Sequence, residues 1–374
     1  MPNVRLAAVL TACLALPVLA GGARQPPDLL AAFCDRPAPR TAAGYEAAID
    51  ALNTDAWSGG DQSPSVALPD GRILWLYADT VQGAERPDGS RGAGSRFVRN
   101  SAILQTRGCF TPINGPGRGD LIPKAPNGDH YWPASATVHG RRLLVYADRA
   151  RAINPADPFG FSFIGTEVAE FALPGPASTR LRFRGMLPTP SSGRGHEAVQ
   201  WGRSVIQDGA RTYLYGTQNV VGQLGKPVYV ARAPTETLTT PSTWTYWTGA
   251  GWSPAEWDVR PMIQTLPRGW SYQFSVHRIG GRYVALTKVN EYFAETVSAL
   301  TARSPEGPWV EQEVFRAPSD GTPGELRYSA TAHPEVRLAS GRLLVAVCRN
   351  NLDLRRVWAD ADLYKPDFFE VDLG

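Results

Sequence analysis

The sequence predicts an all-β fold, and three observations lead to it. Short apolar runs bounded by Gly and Pro dominate the chain, and helical apolar spacing appears only over residues 44–52. Five runs share one layout, in which a tight turn containing Gly joins two apolar strands. The turns recur at separations of 69, 69, 72 and 60 residues, at Gly71, Gly140, Gly209, Gly281 and Gly341. This period predicts a five-bladed β-propeller of four-stranded blades, because a pair of β-sandwiches would not space its hairpins so evenly.

Two strands beyond each hairpin are needed to complete a blade. The sequence offers apolar candidates at residues 101–105, 167–172, 227–231 and 297–302. The last run, residues 368–373, is expected to pair with the first or the last blade and so close the ring.

The first twenty residues resemble a secretory signal. Arg5 gives a weak positive start, an apolar run follows over residues 6–19, and small residues end at Ala20. We therefore expect a signal peptide at 1–20, a Pro-rich lead-in at 21–56 and a single propeller domain at 57–374, in a secreted or periplasmic protein. The stretch ending at Cys13 also resembles a lipoprotein cleavage box, which we consider the less favoured alternative.

Charge and hydropathy exclude several partners. The net charge is only +3 and the sequence contains no basic block, so nucleic acid and anionic membranes are poor candidates. After the signal, no apolar run approaches the length of a membrane span. We expect a soluble monomer.

Three cysteines remain once Cys13 leaves with the signal. In an oxidising compartment they predict one disulfide and one thiol. Cys348 lies in an apolar run, where a buried thiol is common, so the expected pair is Cys34 with Cys109. No CxxC or HxxxH spacing occurs among the cysteines and the five histidines, so we expect no metal and no cofactor.

Two aspartates flank the first hairpin symmetrically. Asp61 precedes Asp70 by nine residues and Asp79 follows it by nine. In an antiparallel hairpin such positions face each other at the open end, which in a propeller borders the central channel. An isolated Asp near Gly is more often a turn residue, but the mirrored placement makes a functional pair about as plausible.

Other polar and aromatic residues fall at corresponding positions of the remaining repeats. Glu197 lies near the start of the third, and acidic groups concentrate in the first three repeats. A funnel with carboxylates, rings and amide or guanidinium donors suits a carbohydrate. The candidate substrate contacts are Asn100, His130, Trp132, Asp148, Trp201, Tyr272, His277, Tyr328, His333, Arg349 and Asn350. Tryptophan and tyrosine in propellers more often pack between blades, and His333 fits a structural role or an approach to a channel ion equally well.

Several motifs resemble a family of secreted bacterial propellers long catalogued as a domain of unknown function. They span about residues 57–351 and include GGDQSPSVALPDGRILWLYADT, NSAI, YWPAS, QWGRSV, SYQFSVHRIGGRYVALT, SPEGPW, YSATAHPEV and CRNN. Some members of that family are endo-acting hydrolases of D-arabinofuranose polymers, and the fold is similar to that of arabinanase and fructosidase propellers. The resemblance implies a glycosidase that uses the aspartates of the first blade, here Asp61 and Asp79.

Glycoside hydrolysis needs two carboxyl groups, one that donates a proton and one that acts as base or nucleophile. The first hypothesis is a hydrolase of furanoside polysaccharides such as arabinan, with Asp61 as base or nucleophile, Glu197 as general acid and Asp79 as their neighbour. In the alternative scheme, Asp79 and Glu197 exchange these roles. A non-catalytic carbohydrate-binding propeller is the main rival, and a lyase or phosphodiesterase is a weaker one because metal ligands do not cluster.

Overall fold

The computed structural model describes residues 34–154, 160–175, 178–290 and 293–373. The expected signal peptide at 1–20 and the first part of the lead-in, up to residue 33, lie outside these ranges. Strands dominate the described residues, which confirms the all-β prediction. In the described part of the chain, no helix is both long and apolar enough to cross a membrane.

Five antiparallel sheets, here called sheets I to V, follow one another along the chain. Sheet I contains β2 (Ser65–Ala67), β3 (Ile73–Tyr77), β6 (Ser101–Thr106) and β7 (Cys109–Ile113). Sheet II contains β8 (His130–His139), β9 (Arg142–Ala152), β10 (Phe161–Ala172) and β11 (Arg182–Pro188). Sheet III contains β12 (Gln200–Asp208), β13 (Arg211–Thr217), β14 (Val228–Pro234), β15 (Thr245–Trp247) and β16 (Trp252–Ser253).

The remaining elements complete the fold. Sheet IV contains β17 (Ser275–Ile279), β18 (Arg282–Thr287), β19 (Thr296–Ala302) and β20 (Val310–Arg316). Sheet V contains β21 (Glu325–His333), β22 (Leu343–Asn351) and β23 (Asp367–Val371). A small sixth sheet, called the side sheet, joins β1 (Gly59–Gly60), β4 (Thr80–Gln82) and β5 (Arg96–Val98). The helices are α1 (Ala42–Asp50) and α2 (Leu354–Ala359).

The five hairpins predicted from the sequence are the first two strands of sheets I to V. All five turn glycines have positive φ, between 58° and 85°, a conformation that side chains with a Cβ rarely adopt. The expected four strands per sheet hold for sheets I, II and IV. Sheet III has a fifth strand, and sheet V has three, with α1 packed against β23.

Neighbouring sheets bury apolar side chains between them. Separate apolar clusters lie between sheets I and II, II and III, III and IV, and IV and V. A further cluster joins sheets V and I and includes Tyr45 and Ile49 of α1. The packing therefore runs from sheet I through sheet V and back to sheet I. We call the contact between sheets V and I the seam.

The first strands of the five sheets lie next to one another and line a central cavity of about 40 Å³. Hydroxyl groups connect several of these strands. Ser135 donates to the Gly202 carbonyl at 2.6 Å, and Ser204 both donates to the Val276 carbonyl and accepts from its N–H. At the seam, Ser65 Oγ lies 2.5 Å from His333 Nδ1. These bonds fix the inner strands, and so the positions of the residues at their ends.

The predicted disulfide is present between Cys34 and Cys109, with Cα atoms 5.9 Å apart, and Cys348 is a buried thiol. The bridge attaches the lead-in to β7, the outer strand of sheet I. Tyr45 of α1 packs against Trp75 and Phe368, which belong to sheets I and V. The lead-in is therefore built into the seam.

Candidate active site

Asp61 and Asp79 face each other at the open end of the first hairpin, as the sequence predicts. The Asp61 N–H donates to the Asp79 carbonyl at 3.1 Å, and the Asp61 carbonyl accepts from the Ala78 N–H at 2.9 Å. Ala78 and Asp79 thus both pair with Asp61, an arrangement typical of a β-bulge. A bulge redirects side chains, and here it brings two carboxyl groups to one edge of sheet I.

The Asp61 carboxyl lies in an enclosed polar setting. Its Oδ1 atom is inaccessible to solvent, and its Oδ2 atom accepts a hydrogen bond from the Tyr328 hydroxyl at 2.8 Å. The Tyr364 phenol lies close enough to interact with the same carboxyl. Burial, followed by the charge of Asp79, raises the pKa of Asp61 to about 7. This carboxyl therefore exchanges its proton near neutral pH.

Asp79 has stronger anion-stabilising partners. Arg99 Nη1 donates to both carboxylate oxygens, at 3.2 and 2.9 Å, and the Trp132 indole N–H donates to Oδ1 at 2.9 Å. Burial raises the pKa of Asp79, while Arg99 and Trp132 act against that rise. The Asp79 side chain is 23% exposed, so solvent reaches it.

Two of the predicted contact residues bind this pair directly, and a third acts through one of them. Trp132 holds Asp79, Tyr328 holds Asp61, and the Asn350 amide donates to the Tyr328 hydroxyl at 3.1 Å. His130 packs edge-to-face on Trp132 with ring centres 4.6 Å apart. Burial, followed by the charge of Arg99, lowers the pKa of His130 to about 4, so its imidazole is neutral at pH 7.

Asp148 and Tyr272 meet around a buried arginine. Asp148 forms an ion pair with Arg203, and both side chains are at most 1% exposed. Arg203 also donates to the Tyr272 hydroxyl at 2.6 Å, with its guanidinium 4.0 Å from the ring centre. Asp148 pairs with Trp132 across β8 and β9, so this group lies next to the tryptophan that binds Asp79.

The structure gives framework roles to four other predicted contact residues. Asn100 is fully buried and its amide binds the carbonyls of Ile122 and Tyr131. Trp201 is fully buried between sheets II and III.

At the seam, fully buried His333 packs on Trp75. Arg349 is committed to ion pairs with Glu325 and Asp320. None of these four is brought to the aspartate pair, because packing or pairing already occupies its side chain.

His277 and Glu197 lie apart from the pair in different ways. His277 lines the central cavity, and burial lowers its pKa to about 4. Glu197 is exposed in the segment before β12, where its backbone carbonyl accepts from the Gln218 amide at 2.6 Å. Asp61 and Asp79 lie where the first hairpin passes from sheet I into the side sheet, whereas Glu197 precedes the first strand of sheet III.

Sequence reasoning missed four residues of this region: Arg99, Phe161, Phe163 and Tyr364. Arg99 stands beside Asn100, whose amide binds backbone carbonyls away from the aspartates, and nothing in the sequence distinguishes the two positions. Phe161 and Phe163 alternate in a strand, a pattern that signals one shared face. Tyr364 lies in a short C-terminal 3₁₀ helix outside the repeats, and nothing in the sequence pointed to it.

Over residues 34–154, 160–175, 178–290 and 293–373, no three His, Cys, Asp or Glu side chains converge in a way that could hold an ion.

The fold and the site together define an all-β protein of successive antiparallel sheets with a pair of neighbouring aspartates, Asp61 and Asp79. The chain belongs to the family described as "Domain of unknown function (DUF5005)", whose match covers residues 50–372. Among curated proteins, no sequence matches it.

Two solved structures are similar to this chain. One is a proposed hydrolase from Bacteroides ovatus ATCC 8483, with 22% identity, coverage of 88% of this chain and 89% of that one, and a TM-score of 0.71. The other is a GH43_1 enzyme from Xanthomonas citri, with 13% identity, coverage of 87% and 92%, and a TM-score of 0.50. At these identities the similarity is one of fold.

Proposed function

We propose that this protein is a glycoside hydrolase that cleaves furanoside polysaccharides such as D-arabinan. The observation that carries the proposal is the Asp61 carboxyl, whose pKa is raised to about 7 next to Asp79. A carboxyl group that gains and loses a proton near the working pH is suited to general acid–base catalysis. The Asp79 carboxylate beside it is 23% exposed, so a ligand can reach it.

Asp61 and Asp79 flank the same hairpin, so they approach a bound sugar from the same side. Hydrolysis needs a second carboxyl group across the glycosidic bond. Glu197, exposed at the start of sheet III, is the candidate for that general acid. In this scheme Asp61 activates water or attacks as nucleophile, and Asp79 orients it and tunes its pKa.

The proposal includes the architecture that the sequence predicts. We infer that sheets I to V are the five blades of a propeller formed by residues 57–374. The support is the sequence of apolar clusters that passes from each sheet to the next and returns through the seam. Export after a signal at residues 1–20 agrees with the Cys34–Cys109 disulfide, which an oxidising compartment favours.

The similar solved structures agree with this chemistry. The Bacteroides ovatus protein is described as a proposed hydrolase, and the Xanthomonas citri protein as a GH43_1 enzyme, a group of glycoside hydrolases. The family resemblance noted from the sequence suggests D-arabinofuranose polymers as the substrate class.

A carbohydrate-binding module without catalysis is the second candidate. The aromatic rings that surround Trp132 favour it, because they would bind a sugar without any proton transfer. Such a module would not need an acidic group with a pKa near 7.

The test is to incubate the purified mature protein with D-arabinan, L-arabinan, arabinogalactan, fructan and xylan and to measure released reducing ends. Asp61→Asn should lower turnover on the order of 10³-fold, as expected for a lost general base. Asp55→Asn is the matched control, because Asp55 is 74% exposed and only loosely paired with Arg118. Full turnover in Asp61→Asn would remove Asp61 from the mechanism, and binding without release would favour the second candidate.

A further inference from the structure

A stacked pair of rings that the sequence did not reveal joins two separate sheets. Phe163, in β10 of sheet II, stacks on Tyr272, which precedes β17 of sheet IV, with ring centres 5.0 Å apart and planes inclined by 29°. Sheets II and IV are not neighbours in the order of the sheets. The pair therefore connects residues of two non-adjacent sheets, and we call Phe163 and Tyr272 the aromatic floor.

A buried ion pair supports the floor from the side of sheet III. Tyr272 is held between Phe163 and the Arg203 guanidinium, which lies 4.0 Å from its ring centre. Arg203 lines the central cavity and is paired with Asp148. A buried arginine needs a carboxylate partner, and this one fixes the guanidinium plane against the ring. Because the charges of Arg203 and Asp148 cancel, the floor presents no net charge.

The floor adjoins both aspartates. Gln62, the residue after Asp61, accepts at Oε1 from the Gln273 amide at 3.0 Å, and Gln273 is the residue after Tyr272. The other side is connected through rings. Phe161 lies 5.4 Å from Phe163 and 4.7 Å from Trp132, whose indole N–H holds Asp79.

We propose that Phe163 is a sugar-stacking subsite, which binds one uncharged ring of a saccharide chain beside Asp61 and Asp79. Phe163 is partly exposed, and it has one face on Tyr272. A rigid, uncharged aromatic surface next to hydrogen-bonding groups suits the C–H face of a sugar ring. This inference rests on the proposed function for its ligand class, but it concerns binding and not catalysis.

The experiment measures the binding of D-arabinotriose, L-arabinotriose and xylotriose by titration calorimetry. It uses the full mature chain with Asp61→Asn, called the parent, so that no probe is consumed. Adding Phe163→Ala should weaken binding of the best probe about tenfold, and Phe163→Trp should restore most of it. Phe315→Ala is the matched control, because Phe315 stacks on Phe369 in a similar geometry, 4.6 Å and 30°, between the outer strands β20 and β23.

Binding weakened by Phe163→Ala but not by Phe315→Ala supports the subsite. Equal affinity in Phe163→Ala and its parent, or equal weakening by both alanine variants, overturns it. If the wild type releases no sugar from any polymer while Phe163→Ala still loses binding, the subsite stands and the hydrolase proposal fails. If the parent binds none of the trisaccharides, the subsite is rejected.

Discussion

The Tyr328 hydroxyl donates to the Asp61 carboxylate over 2.8 Å although the two residues are 267 positions apart in the sequence. Asp61 belongs to the first hairpin and Tyr328 to β21 of sheet V. Their bond therefore crosses the seam, where Ser65 also meets His333. The proposed reaction centre therefore lies at the contact between sheets V and I, so changes at the seam should alter the proton affinity of Asp61.

Replacing Tyr328 with Phe should raise the pKa of Asp61 further. A hydrogen bond donated to a carboxylate favours its charged form, so its loss favours the proton. The rate of sugar release should rise with pH as Asp61 loses its proton, and we call this rise the Asp61 limb of the pH profile. In Tyr328→Phe we expect the midpoint of this limb to lie about one pH unit higher. The measurement is sugar release against pH. Asn350→Leu, which removes the donor to the Tyr328 hydroxyl, should shift the limb in the same direction by less, and an unmoved limb in Tyr328→Phe would contradict the assignment.

Replacing Asp61 with Asn should stabilise the protein above neutral pH. The raised pKa means that the folded state holds a proton that the unfolded chain releases near pH 4. This contribution is fully present below pH 4 and is lost as the pH rises to about 7. The melting temperature of Asp61→Asn should thus exceed that of the wild type at pH 8 by more than at pH 4. Parallel curves would show that Asp61 does not bind its proton as described.

Three buried histidines should make the fold sensitive to acid. Burial lowers the pKa of His130 and His277 to about 4 and that of His333 to about 3. Their contribution is fully present above the unfolded pKa, near 6.5, and is lost as the pH falls towards 4. His277→Gln should reduce the drop in melting temperature between pH 6.5 and 4.5, whereas His139→Gln should not. An equal drop in both variants would assign the acid sensitivity to other groups.

Removing the disulfide should lower stability without altering the site. The Cys34–Cys109 bridge closes a loop with a sequence separation of 75, and disulfides of this kind contribute about 2–4 kcal/mol. The double variant Cys34→Ser/Cys109→Ser should show this loss in urea unfolding. Dithiothreitol should move the wild-type curve onto that of the variant and leave the variant unchanged.

The sequence predicted the parts of the fold that repeat. Turn glycines fixed the five hairpins, and mirrored spacing around Asp70 placed Asp61 opposite Asp79, because backbone pairing in a hairpin follows from counting. Elements outside the repeat were not predicted. The side sheet is built from strands of two or three residues, too short to show alternation.

The candidate site was predicted less completely, for a physical reason. Residue type and position along a strand do not tell which neighbour a side chain meets. Asp148 and Arg349 both lie eight residues beyond their turn glycines. Asp148 forms an ion pair with Arg203, whereas Arg349 forms one with Glu325. Tyr364 reaches Asp61 from a segment that follows α2 and has no counterpart in the other sheets.

The position of α1 in the seam has a consequence for the order of assembly. Tyr45 is synthesised more than 300 residues before Phe368, against which it packs. Contacts between such distant parts of a chain form slowly, since a large loop must close first. The helix α1 therefore gains its contact with Phe368 only after β23 has been synthesised, and a nascent chain that ends before β23 would lack that contact.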